Sequence, residues 1–181
     1  KNIELVIKTF DAISQKVPNA KLIMVGHGPL HDEIKTNNPN VFFAGVRSGE
    51  DLAAHYASAD IFLFPSKTET FGNVTTEALA SGLGVIAYDY AAAADIIQNN
   101  INGIAVKLDH ESAFIYAATD LASNRQKLDF IREQAAKSVA SLDWNNIHQD
   151  FEAILRNVST LSIPLKKDLS VTTFIHNEAE F

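Results

Sequence analysis

Short and nearly continuous apolar runs recur along this chain at residues 21–25, 41–44, 61–64 and 85–88, each separated from the next by a stretch with helical spacing. A short strand that is apolar on both faces belongs in a sheet covered on both sides. Strands that alternate with helices build parallel sheets through βαβ crossovers. The expected class is therefore α/β, a Rossmann-like parallel sheet with helices on both faces. Ile3, Leu5, Val6, Ile7, Phe10, Ala12 and Ile13 mark the first helix, which Val17-Pro18 ends. Gly26-His27-Gly28-Pro29 then opens a second helix, with Pro29 suited to a first turn where its missing N–H is no loss. Residues 51–58 and 74–81 read as further helices. After Asp89 come a short alanine-rich helix at 91–97, a small strand at 103–106 and two helices within 110–141. Trp144 begins an amphipathic helix through Phe151, Ile154 and Leu155. Residues 159–181 mix Ser, Thr, Pro164 and charges without periodicity and read as a tail to a domain over 1–158.

The length of 181 residues, with 46% hydrophobic and 20% charged residues, fits a globular domain with a proper core. A net charge of −7 supplies no electrostatic footprint for nucleic acid. With no cysteine there is neither a disulfide framework nor a thiolate metal site, and the reducing cytoplasm is the expected compartment. No apolar run approaches the roughly 18 residues that span a bilayer. The sequence opens inside a helix and without Met, and so reads as part of a longer polypeptide.

Chemistry concentrates in residues 60–82, DIFLFPSKTETFGNVTTEALASG, where a strand, a polar loop and a helix carry Glu69 and Glu77. Open α/β sheets bind ligands at the carboxyl ends of their strands, which is where the loop from Pro65 to Asn73 falls. A helix starting near Asn73 or Val74 offers unpaired N–H groups and a positive dipole end to phosphate oxygens, and Gly72 lets backbone approach closely. A carboxylate can accept two hydrogen bonds from a vicinal diol. Each glutamate also has an ordinary reading: Glu69 as a solvated loop charge, Glu77 as half of a capping box. With Asn73 as the cap, however, the capping-box position is Thr76.

This segment resembles the nucleotide-sugar site of retaining glycosyltransferases with the GT-B fold, family 4 or group 1. The likeness extends over about residues 1–155 through Val25-Gly26-His27-Gly28-Pro29, Val41-Phe42-Phe43-Ala44-Gly45, Tyr56-Ala57-Ser58-Ala59-Asp60, Gly82-Leu83-Gly84-Val85-Ile86-Ala87, Asn102-Gly103 and Trp144. It implies the C-terminal, donor-binding domain of such an enzyme. An NDP-sugar is then the donor substrate, no cofactor or metal is needed, and an N-terminal domain of the same protein is the partner. The implied roles put Glu69 on the hydroxyls of the transferred sugar and Glu77 on the ribose. Ser66, Thr70, Phe71, Gly72, Asn73 and Val74 surround the donor, and Lys1 neutralises its diphosphate. Gly26, Gly28, Val46 and Arg47 lie near the nucleobase, although a tight turn and a surface arginine remain their ordinary readings. The arginine that accompanies the lysine in relatives, and the first strand of this half, are expected upstream of residue 1. Leu83-Gly84 stands where relatives carry proline, and Ala91 to Ala94 replaces a loop that commonly carries glycines.

The implied activity is hexosyl transfer to a hydroxyl acceptor on a lipid or envelope glycan, at the inner face of a bacterial membrane or in the cytoplasm. The isolated chain is expected to turn over poorly. Alternatives are a GT-B relative such as a UDP-N-acetylglucosamine 2-epimerase, and a noncatalytic nucleotide-sugar binder. Histidines 27, 31, 55, 110, 148 and 176 are scattered and read as no metal site.

Overall fold

A computed structural model describes residues 1–160, so the expected tail, apart from the end of the last helix, lies outside the described residues. The first helix, α1 (Ile3–Lys16), buries Leu5, Thr9, Phe10 and Ile13 on one face. Thr9 spends its hydroxyl on the Leu5 carbonyl at 2.6 Å, which lets a polar side chain sit in the core. The helix stops where the Val17 N–H returns to the Ile13 carbonyl and Pro18 bars another turn.

β1 (Leu22–Val25), α2 (His31–Asn37), β2 (Val41–Gly45), α3 (Gly49–Ala57) and β3 (Ile61–Phe64) follow in order. Next come α4 (Asn73–Ala80), β4 (Gly84–Tyr88), α5 (Ala92–Ile96), β5 (Ile104–Val106), α6 (Glu111–Ser123) and α7 (Arg125–Ser138). The second helix starts later than the sequence predicts. Gly28 accepts the His31 N–H at 3.0 Å, so Pro29 occupies the second position of a tight turn, where its fixed φ is favoured, and helical bonding begins only at His31.

Among the described residues all strand pairs are parallel, in two ladders: β1 with β2, and β3 with β4 and β5. β4 is the central strand of the second ladder, and every one of its residues is buried. Its pleat separates two cores. Ile86 and Tyr88 point into a cluster with Leu5 and Ile13 of α1, Phe114, Ala118 and Leu121 of α6, and Leu128 and Ile131 of α7. Val85 and Ala87 point the other way, into a cluster with Ala78 and Leu79 of α4, Ala93 of α5 and Ala135 of α7. Alternation along one strand thus places helices on both faces, as a period of two requires. Gly84 opens β4 without a side chain because a Cβ there would meet Leu128 Cδ1 at 2.7 Å.

These elements form a compact unit, Lys1–Ser141. A second unit begins at Leu142, and its described part is α8 (Trp144–Thr160). Along α8 the apolar side chains Trp144, Ile147, Phe151, Ile154, Leu155 and Val158 recur at helical spacing, and all are exposed. No helix among the described residues is long and apolar enough to cross a membrane.

Candidate nucleotide-sugar site

β3 delivers the chain to the loop that carries the first glutamate. Pro65 and Ser66 are buried at its carboxyl end, and the Ser66 hydroxyl donates to Glu69 Oε1 at 2.5 Å. The Lys1 ammonium pairs with the same oxygen and lies 4.8 Å from the centre of the Phe64 ring, within cation–π range. The Glu69 side chain is only 13% exposed. Burial by itself raises the Glu69 pKa, but hydrogen bonds from Lys1 and Ser66 and the Lys1 charge outweigh it, so the carboxyl is held below its ordinary value. The result is a carboxylate fixed in place and charged at neutral pH.

Phe71 and Gly72 complete the turn into α4. Gly72 is the N-cap with φ 95°, a left-handed conformation that glycine takes without steric cost. Its carbonyl accepts the Thr75 N–H at 2.9 Å, and the amides of Asn73 and Val74 make no bond to the protein among the described residues. Two donors at the positive end of an eight-residue helix are therefore left without a protein partner beside Glu69. Glu77 lies one turn further along α4 and is exposed, with its carboxylate accepting from the Tyr56 hydroxyl at 3.2 Å. Burial first, then the Glu77 charge and hydrogen bond, push the Tyr56 phenol up to about 12. Because Gly72 is the cap, the capping-box position is Thr75 and not the Thr76 expected. On either count Glu77 is no capping residue, and its carboxylate is available to a ligand.

A small cavity of about 10 Å³ lies between the Ser66–Gly72 loop and residues 87–93, lined by Ser66, Glu69, Phe71, Gly72, Tyr88 and Tyr90 among others. That is space for roughly one water. A groove of about 330 Å³ lies elsewhere, between α1 and α2, with Glu4, Lys8 and Glu33 on its walls. It has none of the convergent donors of the Glu69 loop, so its greater volume does not make it the better site.

The structure brings Lys1, Ser66, Glu69, Phe71 and Gly72 together and continues into Asn73, Val74 and Glu77, while Thr70 stands exposed in the loop. The remaining expected residues gather on the other ladder. The Gly26 N–H donates to the Gly45 carbonyl at 2.8 Å, which sets the loop after β1 beside Val46 and Arg47. Val46 is 74% exposed, and Arg47 is engaged with Asp51 at 3.2 Å. Among the described residues no hydrogen bond or ion pair joins this group to Glu69 or Glu77. Nor does any group of three His, Cys, Asp or Glu among them gather as a metal site.

The sequence reading missed three tyrosines. Tyr56 reaches Glu77 from α3, Tyr90 donates to the Glu69 carbonyl at 3.3 Å, and the buried Tyr88 packs on Phe114 with its hydroxyl unpartnered. Tyr56 stood within a quoted motif, but only tertiary folding shows what its hydroxyl meets.

Comparison with known proteins bears on the fold and the family. The chain is 30% identical over 155 residues to the sulfoquinovosyl transferase of Arabidopsis thaliana, covering 78% of this chain and 29% of that protein. It is 33% identical over 140 residues to a GDP-mannose-dependent alpha-mannosyltransferase of Mycolicibacterium smegmatis, covering 75% and 36%. The chain thus spans about a third of the length of these relatives. The fold matches the C-terminal domain of a group 1 glycosyl transferase from Francisella tularensis with TM-score 0.70 and 22% identity, over 78% of each chain. It also matches the Anabaena HepE structure in complex with UDP and glucose, with TM-score 0.69 and 24% identity, over 82% of this chain and 44% of that one. The profile of the family described as "Glycosyl transferases group 1" covers residues 1–124, and the chain belongs to that family.

Proposed function

We propose that this chain is the donor-binding domain of a retaining, metal-independent glycosyltransferase that moves a hexose from an NDP-sugar to a hydroxyl acceptor. The observation that carries the reading is the charged Glu69, fixed by Ser66 and Lys1, beside the free amides of Asn73 and Val74. A sugar diphosphate needs both in one place: a carboxylate that accepts from sugar hydroxyls, and donors that meet phosphate oxygens. Glu77, steadied by Tyr56, accepts from the ribose diol. As the diphosphate enters, it competes with Glu69 for the Lys1 ammonium, and that cation with the α4 amides supplies the charge a metal would otherwise bring.

In the transfer, the bond from C1 to the phosphate oxygen breaks while the acceptor oxygen bonds C1 on the same face. The electrons of the broken bond leave on the nucleoside diphosphate, whose oxygen takes the acceptor proton. The transition state is oxocarbenium-like, so a fixed carboxylate near the sugar stabilises developing positive charge. The acceptor, a lipid or envelope glycan, is brought by an N-terminal domain of the same protein, in the cytoplasm or at the inner face of the membrane. Without that domain, water is not excluded and the substrates are not oriented, so the chain alone should turn over poorly. One similar structure holds UDP and one relative is described as GDP-mannose-dependent, so both bases belong in the test.

Isothermal titration of the chain with UDP, GDP, ADP and their glucose or mannose conjugates tests the reading. One nucleotide series should bind, and Glu77→Ala should weaken it about 10- to 100-fold, the value of one hydrogen bond to a charged group. Equal binding of all nucleotides, untouched by Glu77→Ala, would reject the site.

A further inference from the structure

Ala91 has φ 51° and ψ −139°, a region that side-chain-bearing residues enter only against a steric penalty. Among the described residues the other positive-φ positions that are not glycine are Asn2, Asn100 and Asp109, types that visit left-handed backbone readily. Ala91 has no such excuse, and its strained turn borders the cavity beside Glu69. The turn sends the Ala92 N–H to the Phe71 carbonyl at 2.7 Å and drops Ala92 and Ala93 into the interior. It also sets the Ala92 methyl against Gly72, where an added Cβ would lie 3.7 Å from Ala92 Cβ and 3.8 Å from Glu69 Cγ. One residue earlier, Tyr90 donates, at a long 3.3 Å, to the Glu69 carbonyl.

We propose that the Tyr90–Ala91–Ala92 turn is a clamp on residues 69–72 and that Ala91 is a positioning residue for Glu69. Glycine at position 91 would occupy the same backbone without strain but would also reach many others, so the alanine keeps the turn in one state at the expense of stability. The inference rests on the reading of Glu69 as the carboxylate that meets the donor sugar. It concerns how this chain, with alanine in a glycine conformation, holds that group still.

Ala91→Gly should therefore separate stability from function. Relief of strain should raise Tm by about 2–4 °C. At the same time, hydrogen exchange of the Ala92 amide, which bonds the Phe71 carbonyl, should accelerate several-fold, and the ratio of NDP-sugar to NDP affinity should fall about 3- to 10-fold. Tyr90→Phe keeps the half-exposed ring and should give a weaker acceleration of the same amide. An unchanged or lowered Tm in Ala91→Gly overturns the strain argument. A raised Tm with unaltered exchange of the Ala92 amide in both variants overturns the clamp. If the unaltered chain binds neither NDP nor NDP-sugar, the proposed function fails, and the exchange rates still decide the clamp by themselves.

Discussion

Asn102 offers a sharp test of how the site is braced from behind. Only 2% of it is exposed, and it holds two backbone groups at once: its Oδ1 accepts from the Gln98 N–H at 2.7 Å, and its Nδ2 donates to the Ile96 carbonyl at 3.0 Å. These bonds close the end of α5, the helix whose start is the turn beside Glu69. Asn102→Ala removes both partners and leaves a part-buried donor and acceptor unmet. At about 1–3 kcal/mol for each unsatisfied group, and with water able to reach part of the space, the expected loss is about 2–4 kcal/mol. For a domain of this size that lowers Tm by about 6–12 °C. Asn99→Ala is the control, because its single bond to the Ala105 carbonyl, at 3.2 Å, is exposed and should be worth less than about 1 kcal/mol. Urea melts of the three proteins, analysed with a common m-value, measure both losses. If Asn102→Ala costs no more than Asn99→Ala, the buried amide is not the brace described, and the α5 end is held by packing alone.

Other outcomes follow from the same geometry. The Glu69 carboxyl is depressed below its ordinary 4.5, so its contribution to stability is full above that pH and drains away as pH falls through the lowered value. Glu69→Gln should flatten the acid limb of a pH–stability curve below about 4.5, and an unchanged limb would contradict the Lys1–Glu69–Ser66 arrangement. The Tyr56 phenol should ionise near 12 and not near 10 when followed by ultraviolet absorbance, and Glu77→Gln should bring it down by removing the carboxylate charge. Gly72→Ala makes only ordinary contacts, at 3.7 Å and beyond, yet it forces alanine to φ 95°. It should cost about 1–2 kcal/mol in a denaturant melt and lower donor affinity in titration, whereas a neutral result would show the loop relaxing freely. Leu121→Ala empties a fully buried position between α6 and the β4 face of the core and should cost about 2–5 kcal/mol, read by thermal unfolding.

Much of this protein was written in local pattern. Ile61 to Phe64 and Val85 to Tyr88 are apolar at every position, and a short segment that must be buried on both faces has few homes besides a parallel sheet between helices. Glu69, Gly72 and Asn73 sit at fixed offsets from the end of β3, so the order of strand, loop and helix already placed a carboxylate and two free amides at one sheet end. Pro29 shows where local reading fell short, since the same ring fits a first helical turn or a tight turn, and only the Gly28 carbonyl waiting for the His31 N–H decides between them. Tertiary structure alone decided what meets each glutamate: Lys1 comes from 68 residues away to Glu69, and Tyr56 from 21 residues away to Glu77. It alone also decided that the strands form two ladders and that Ala91 bears a strained turn beneath Phe71. Periodicity records which face of a segment avoids water, a property each residue carries with it. Partners and strain depend on what the fold brings alongside, and no single residue carries that information.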